Sequence, residues 1–500
     1  MNRSTILFDE PGLEFRHGQV LSDPHDGLTL FGPVDGDAPS RPKAINYAVI
    51  GTPEGVLKFS AFASELAVPS IEVPKNNFRL WSPFPGFEAA FHCEFAQSPI
   101  WSGTVDPNEL HTTSLQKDEH ERSYATVNLY LDEIRKLKKI DERIDVVICI
   151  VPDEVWQNCR PESQVQDAIG YGISRKEKDL RRSGQTSFFD EYDIEQYSLS
   201  PDFRRQLKAR AMEQEIPIQI IKESTLRTND EYKFGERMLT PLSDRKWNLG
   251  TALYYKSGGK PWKLVSAREG VCYIGIAFRH TDKKADGKTA CCAAQMFLNT
   301  GDGIVFLGEY GPWYSPRSNQ FHLSPDKATS LLAGILKTYK DLGGKELSEI
   351  FLHCRSQISD EEFEGYRKAC PPGVNLYGVR VRSERVGFKL FRNGRRPVIR
   401  GTFLKVKDNL GFLWASGFKP RLGTYDGWET PIPLRIEVQH GDAPIERVAQ
   451  DILGLTKLNY NSCRLGESQP VTVGFSDAVG EILISNPTVE TRRPNFKYYI

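Results

Sequence analysis

Short apolar runs alternate with helical stretches along most of this 500-residue chain. The runs are rich in Val, Ile, Leu and Phe, as buried strands are, and they read VVICIV (146–151), IQII (218–221), CYIGIAF (272–278), IVFLGEY (304–310) and EIFLHC (349–354). Helical patterns lie near 125–138, 203–214, 325–341, 360–369 and 443–453. This alternation predicts an α/β fold, and the length suits two or three domains.

The composition limits the kinds of site that the chain can carry. Sixty-five basic and 65 acidic residues cancel, so a surface that binds nucleic acid has to be a local patch. The nine Cys show no CxxC pair and no His spacing suited to zinc, so most are expected to be reduced core residues. The chain has no run of 18 apolar residues and no apolar segment of signal length. We therefore expect a soluble, cytoplasmic protein without a membrane partner.

One stretch, from Arg204 to Trp262, spaces its polar side chains as a pocket for a terminal phosphate requires. Arg204 and Lys208 lie four apart in a predicted helix, where their side chains share one face. Gln219 follows in a short apolar run, and Lys256 stands in ALYYKSGGKPW, where a helical pattern ends. Guanidinium, ammonium and amide donors hold phosphate oxygens well. For the basic helix taken alone, a solvated surface is the commoner explanation.

In this order, the helical Arg/Lys pair, the IP-x-Q run and ALYYKSGGKPW resemble the MID domain of Argonaute proteins. The resemblance implies that Arg204, Lys208, Gln219 and Lys256 bind the 5′-phosphate and first base of a guide strand. Many family members have an aromatic residue or His where Arg204 stands, and some bacterial members have Arg. Several prokaryotic members also place their C-terminal carboxylate in this pocket. The resemblance therefore implies that Ile500 helps to hold a Mg²⁺ ion against the guide phosphate.

The sequence after Trp262 resembles the PIWI domain of Argonautes, which has an RNase H-like fold. Cleaving members carry a metal-binding Asp directly after a Gly-Ile pair in the first strand, where this chain has Ala277. A second Asp is expected near Arg355, and none is present there. Asp477 stands where the last metal ligand is expected, and Glu309 where a mobile glutamate is sought, although both also suit a solvated loop or a helix cap. A pair of divalent ions about 4 Å apart needs several carboxylates, so the resemblance implies a chain without nuclease activity.

Basic residues interleaved with apolar ones indicate where a nucleic-acid channel is to be sought. The run 380–401 places seven Arg and one Lys among Phe and Val. Phosphate backbones attract positive charge and aromatic rings stack on bases, yet a basic hairpin on the outside has the same alternation. The candidate channel residues are Arg279, Arg380, Arg382, Lys457 and Asn459.

The length narrows the resemblance to short prokaryotic Argonautes, which lack a PAZ domain and catalytic activity. About 140 residues precede the first MID-like strand, and ILFDEPGLEFRHGQVLSDPHDGLTLFGPVD resembles the start of short members. We expect a β-rich, linker-like region at 1–139, a Rossmann-like MID domain at 140–265 and an RNase H-like PIWI domain at 266–500.

The resemblance implies the guide-binding subunit of a prokaryotic immune system. Such a subunit binds a 5′-phosphorylated guide RNA and recognises complementary single-stranded DNA of invaders such as plasmids or phage. Its partner is an APAZ-domain effector, a TIR or sirtuin-like enzyme that alone uses NAD, and activation can involve a higher oligomer. Cell death or arrest follows. The alternatives are a guide-directed endonuclease and a nucleic-acid-binding scaffold partnered with an APAZ nuclease.

Overall fold

A computed structural model describes residues 5–72, 79–161, 163, 165, 199–230, 239–280, 290–297, 303–311, 314–315, 320–385, 388–425, 430–485 and 495–500. The strands are β1 (Thr5–Leu7), β2 (Leu13–Glu14), β3 (Val20–Leu21), β4 (Ala44–Ile45), β5 (Tyr47–Gly51), β6 (Glu94–Phe95), β7 (Trp101–Thr104), β8 (Val146–Val151), β9 (Ile218–Lys222), β10 (Lys263–Leu264), β11 (Val271–His280), β12 (Ala290–Phe297), β13 (Gly303–Gly311), β14 (Tyr314–Ser315), β15 (Gln320–Phe321), β16 (Glu349–Cys354), β17 (Asn375–Ser383), β18 (Thr402–Lys407), β19 (Leu410–Leu413) and β20 (Leu434–His440).

The helices follow the strands in a mixed α/β arrangement, as the sequence predicts. They are α1 (Pro24–Leu30), α2 (Pro53–Ala67), α3 (Phe87–Phe91), α4 (Pro107–Ser114), α5 (Glu119–Lys136), α6 (Asp153–Asn158), α7 (Phe203–Ala211), α8 (Leu242–Lys256), α9 (Pro325–Asp341), α10 (Asp360–Ala369), α11 (Ile445–Leu455) and α12 (Val471–Ile484). All five apolar runs form strands, namely β8, β9, β11, β13 and β16, and the five helical stretches form α5, α7, α9, α10 and α11. No helix in the described part of the chain has the length and apolar character needed to cross a membrane.

A four-stranded parallel sheet, in the order β7–β5–β8–β9, lies at the centre of the first half of the chain. Parallel strands need long crossover connections, and α2, α5 and α7 lie in those connections. Helices α5 and α7 cover one face with an apolar core, in which Tyr130 and Phe203 meet edge to face with ring centroids 5.4 Å apart. This is the Rossmann-like architecture expected around β8 and β9.

The structure differs from the expected division at residue 139. Strands β5 and β7 precede that point and β8 and β9 follow it, yet the four form one sheet. The longest elements of the first 139 residues are helices, α2 with 15 residues and α5 with 18, so this region is not mainly β. Strands β5 and β7 therefore belong to the same α/β unit as the pocket-bearing residues, whereas β1 joins the nine-stranded sheet by pairing with β18.

A nine-stranded sheet organises the second half, in the order β1–β18–β19–β20–β17–β16–β11–β12–β13. Strands β11, β12 and β13 are antiparallel neighbours, whereas β16 lies parallel to both β11 and β17. Helix α12 crosses the sheet at Gly275 of β11, where an added Cβ would lie 1.8 Å from the carbonyl oxygen of Thr472. This close approach requires glycine.

Replacement of Gly275 tests the packing of α12 on β11. We expect Gly275→Ala to lower the free energy of unfolding by about 1–3 kcal/mol, since the new methyl group overlaps backbone and not a flexible side chain. Urea unfolding followed by circular dichroism measures the change. Gly474→Ala is the matched control within α12, because a Cβ there meets only Gln469, at 3.8 Å, and alanine favours helix. Equal midpoints for Gly275→Ala and the unaltered chain would contradict the close contact.

Candidate functional site

Helix α7 presents two cations on the face next to its buried stripe. Asp202 caps the helix by accepting a hydrogen bond from the backbone N–H of Arg205 at 2.9 Å. Phe203 and Leu207 face the parallel sheet, so the residues one position further on, Arg204 and Lys208, point together toward a neighbouring surface. Lys208 is buried at 4% exposure, whereas Arg204 is exposed. The i, i+4 spacing therefore places a buried lysine and an exposed arginine on the same face of α7.

Helix α8 ends at the second buried lysine, Lys256, which is fully buried. Just beyond it, Gly258 has a φ of +98°, a conformation that glycine adopts without strain, and its backbone N–H bonds to the Tyr255 carbonyl oxygen at 3.0 Å. The chain thus turns sharply away after Lys256. The end of the helical pattern at SGGKPW therefore determines the position of the Lys256 side chain.

The C-terminal segment, residues 495–500, brings the two lysines together. Lys208 Nζ donates to the backbone oxygen of Tyr499 at 3.2 Å, and Lys256 Nζ donates to the backbone oxygens of Lys497, at 3.3 Å, and Ile500. Tyr499 and Ile500 are buried, at 2% and 3% exposure. The sequence indicated Ile500 but not the oxygens of Lys497 and Tyr499, since backbone acceptors have no residue-type signal; only the apolar FKYYI ending hinted that this segment is packed.

Burial and the repulsion between nearby cations lower the pKa of both lysines. Burial, followed by the nearby charge of Arg204, lowers the pKa of Lys256 to about 7. Burial, then Lys256, then Arg204, lower the pKa of Lys208 well below its ordinary value. Among the described residues, no Asp or Glu side chain pairs with either ammonium group. Apart from the C-terminal carboxylate of Ile500, which Lys256 contacts, the two lysines have no described carboxylate partner and can still attract an anion.

Gln219 lies on β9, half-buried, with an unused hydrogen-bonding atom. Its Nε2 donates to the Ile220 carbonyl oxygen at 3.3 Å, while its Oε1 is buried without a partner. The amide oxygen and nitrogen are interchangeable by rotation, so the group can also present its N–H donors. The described contacts do not join Gln219 to either lysine.

The residues around the lysines include few ligands for a divalent cation. Mg²⁺ needs several oxygen ligands, and no three His, Cys, Asp or Glu side chains lie together as metal ligands in the described part of the chain. The oxygens of Tyr499 and Ile500 accept hydrogen bonds from Lys208 and Lys256. The expected role of Ile500 as a Mg²⁺ ligand, through its terminal carboxylate and the guide phosphate, stays a prediction.

The expected metal positions of the second half hold a methyl group and a guanidinium. Ile276 of β11 pairs with Cys354 of β16, so Ala277 and Arg355 stand side by side at the next position. Ala277 is buried, and Arg355 donates to Gln469 Oε1 at 2.8 Å. The side chains of Asp477 and Glu309 lie outside the described residues. Neither position therefore carries a carboxylate that a metal pair requires, and Arg355 adds a positive charge.

A buried histidine close to this position is neutral. His353 precedes Arg355 by two residues on β16, and its Nδ1 lies 2.9 Å from the hydroxyl of Thr472. Burial lowers the pKa of His353 to about 3, and its Nε2 has no partner in the described structure. It therefore adds no charge to the site and helps to position α12 on the sheet.

Two predicted channel residues lie on β17 with their side chains half-buried. Arg382 pairs across the strands with Arg435 of β20, and Arg380 pairs with Glu437. Arg380 Nε also donates to the Arg355 carbonyl oxygen at 3.2 Å. Arginine side chains thus cluster at this part of the sheet. The side chain of Arg279 lies outside the described residues.

The structure corrects the prediction for Lys457 and assigns Asn459 to local contacts. Lys457 is 1% exposed, and its Nζ donates to Glu10 at 2.9 Å and to the Ser22 carbonyl oxygen at 2.6 Å. Burial lowers its pKa to about 8, although Glu10 opposes that change. Asn459 Nδ2 donates to Glu467 at 2.8 Å. Lys457 therefore binds the N-terminal segment inside the fold and is not a channel residue.

Comparison with known proteins gives a consistent result. No family model matches the sequence. The chain is 24% identical over 285 residues to the Argonaute of Aquifex aeolicus, a match that covers 56% of this chain and 35% of that protein.

Solved structures with the same fold include an Argonaute from Clostridium butyricum bound to a guide DNA and a 19-mer target DNA. Its TM-score is 0.64 at 16% identity, over 100% of this chain and 55% of that one. An Aquifex aeolicus Argonaute with externally bound siRNA gives 0.57 at 16% identity, over 99% of this chain and 56% of the other. The chain thus spans a little over half the length of these solved Argonautes. Its sequence match covers about a third of the length of the Aquifex aeolicus protein. The chain is thus similar in sequence to an Argonaute and shares the fold of solved Argonautes.

Proposed function

We propose that this chain binds the 5′-phosphorylated end of a guide strand and presents the guide to a complementary target. The observation that carries the proposal is the buried pair Lys208 and Lys256, whose charges no described carboxylate side chain neutralises. A phosphate monoester has close to two negative charges near pH 7 and three acceptor oxygens. The Argonaute with a TM-score of 0.64 holds a guide and a target DNA, which supports the same ligand class here.

We further propose that the chain recognises its target without cutting it. Ala277 and Arg355 occupy adjacent positions where a cleaving relative would need carboxylates, and neither side chain binds a metal. The resemblance to short Argonautes then favours an RNA guide, a single-stranded DNA target and a separate APAZ effector, whose NAD-consuming TIR or sirtuin-like domain acts in defence. The guide–target duplex shifts the effector to its active state because the duplex-bound chain has a higher affinity for that state than for the inactive one.

Removal of both pocket charges should abolish the preference for a phosphorylated guide end. In Lys208→Met with Lys256→Met, the neutral side chains keep the length of lysine, while each charge-assisted contact contributes roughly 1.5–3 kcal/mol. We expect the ratio of guide affinities, 5′-phosphate over 5′-hydroxyl, to fall to near one. Filter binding with both guides measures this ratio, in which any general loss of binding cancels.

Two controls make the pocket experiment specific. Thermal unfolding of the double variant should still show one cooperative transition, with some loss of stability because the buried oxygens of Tyr499 and Ile500 lose their donors. Chelation of divalent ions tests the expected Mg²⁺ ion separately, since a phosphate preference that the ammonium groups alone provide persists without it. A double variant that still preferred the phosphorylated guide would remove the pocket from guide binding.

The low pKa of Lys256, about 7, makes phosphate binding dependent on pH. A bound phosphate dianion stabilises the charged ammonium and raises this pKa, so binding takes up a proton once the pH exceeds 7. Affinity for the 5′-phosphorylated guide should therefore fall between about pH 7 and pH 9, by up to about tenfold per unit for one proton. The phosphate, with its second pKa near 6, stays a dianion in this range. Lys256→Met should flatten the profile, and an equally steep profile in that variant would show that another group titrates.

The absence of cleavage is tested with a target labelled at both ends. The guide-loaded chain should retain this target in Mg²⁺ without producing fragments, and Asp477→Ala should behave in the same way. The same complex, purified with the protein encoded beside it, should consume NAD only when the target is complementary. Guide-directed cutting by the chain alone, lost in Asp477→Ala, would identify a nuclease instead.

A further inference from the structure

A surface loop between β17 and β18 carries a strong excess of positive charge. The basic loop, residues 388–398, includes Lys389, Arg392, Arg395 and Arg396, and the sequence has no Asp or Glu from Arg385 to Lys407. All four cationic side chains of the loop are exposed. Among the described residues, none of the four forms an ion pair with a carboxylate. The loop therefore offers its charge to something outside the chain.

The ends of the basic loop are fixed to the nine-stranded sheet. Phe388, Leu390 and Val398 pack against Trp414 and Phe412. The rings of Phe388 and Phe412 stack with centroids 4.7 Å apart and an interplanar angle of 16°. The loop thus has an apolar base and a basic tip.

Two of its arginines are held in place by neutral contacts. The guanidinium groups of Arg392 and Arg396 lie over the ring of Phe418, 5.7 Å and 5.1 Å from its centroid. Arg392 Nε donates to the Arg396 carbonyl oxygen at 3.0 Å, and Arg396 donates to the Gly423 carbonyl oxygen at 3.1 Å. These contacts order the side chains and leave their charge unneutralised. Ordering them in advance lowers the entropy lost when an anion binds.

An exposed aromatic ring stands among these cations. Phe391 is 74% exposed and immediately precedes Arg392. A ring in water beside arginines offers a flat face on which a base of any sequence can stack. A single strand can use both features, with its phosphates on the cations and a base on the ring. The combination therefore favours single-stranded nucleic acid over a protein partner.

The basic loop continues the arginine cluster of the sheet. Arg382 of β17 pairs with Arg435 of β20, and Arg435 pairs with Phe412 of β19. Phe412 in turn stacks on Phe388 at the base of the loop. Arginine and aromatic side chains thus lead from the sheet to the base of the loop, with Arg382 and Arg435 paired to Glu384 and Glu437 at 3.5 Å.

We propose that the basic loop is a second nucleic-acid contact, separate from the phosphate pocket. Lys389 and Arg395 bind the backbone of a single strand, Arg392 and Arg396 shape the surface against Phe418, and Phe391 stacks on a base. The inference rests on the proposed function, because the strand is the guide or the target that the chain handles. Its chemistry is independent of a terminal phosphate.

The test measures binding of a 5′-hydroxyl single-stranded DNA, a ligand that does not depend on the phosphate pocket, over a series of salt concentrations. In Lys389→Glu with Arg395→Glu, the plot of log affinity against log salt should become shallower by about 1.4, since each phosphate contact contributes about 0.7 for single strands. Lys337→Glu with Lys340→Glu, an equal charge change at exposed positions of α9, should leave the slope unchanged.

Phe391 has its own readout. Phe391→Ala should weaken binding roughly tenfold at every salt concentration with the slope unchanged, because stacking is not ionic. Leu57→Ala, at another exposed apolar residue with 71% exposure, is the matched control and should have no effect.

The outcomes separate this inference from the proposed function. Equal salt slopes for the Lys389/Arg395 variant and the unaltered chain would overturn the nucleic-acid contact of the loop. If the same variant had lost binding to a protein partner, the loop would be a protein-binding surface instead. A shallower salt slope for the Lys389/Arg395 variant supports the loop contact, whatever the pocket variant shows. A preference for a 5′-phosphate that persists in Lys208→Met with Lys256→Met would refute the phosphate pocket alone.

Discussion

Two buried ammonium groups, those of Lys208 and Lys256, are the constraint on which the pocket depends. Removing a charge from water costs several kcal/mol unless other groups compensate for it, and here the compensation comes from backbone oxygens of the C-terminal segment. The oxygens of Lys497 and Tyr499 carry little charge, whereas the oxygen of Ile500 belongs to the C-terminal carboxylate. The fold therefore places two repelling cations at one point, and the lowered pKa of Lys256 records the cost. Structures keep such an arrangement where a ligand of opposite charge completes it.

The sequence predicted those parts of the structure that depend on local patterns. The i, i+4 spacing of Arg204 and Lys208 and the helix ending at Lys256 are both set within a few residues, and the structure has them as expected. Contacts between distant segments were not predictable in this way. Lys457 pairs with Glu10, 447 positions away, so its basic character wrongly indicated a channel. For the same reason, the sequence did not predict that β5, β7, β8 and β9 form one sheet. The hydrophobic pattern of a strand does not identify the strand with which it forms hydrogen bonds.

The second half of the chain shows that this fold does not need metal-binding carboxylates. Its framework depends on the parallel pairing of β11 with β16 and on the contact of α12 with Gly275, neither of which involves Ala277 or Arg355. Removal of the acidic side chains relieves repulsion between neighbouring carboxylates, and a guanidinium at the same edge attracts phosphate. Under the proposed function, such a scaffold can hold a nucleic acid without cutting it, because binding needs positive charge and cleavage needs metal-binding carboxylates.

The number of donors in the pocket decides whether a phosphate must displace the C-terminal segment. An ammonium group has three N–H donors. Lys256 uses two, on the backbone oxygens of Lys497 and Ile500, and Lys208 uses one, on Tyr499. Three donors therefore remain between the two lysines, and the exposed guanidinium of Arg204 adds more at the opening. A terminal phosphate with its three oxygens can thus be bound in addition to the segment. The contacts that hold helices α7 and α8 to residues 495–500 then persist, and the ligand reinforces the arrangement that already exists without it.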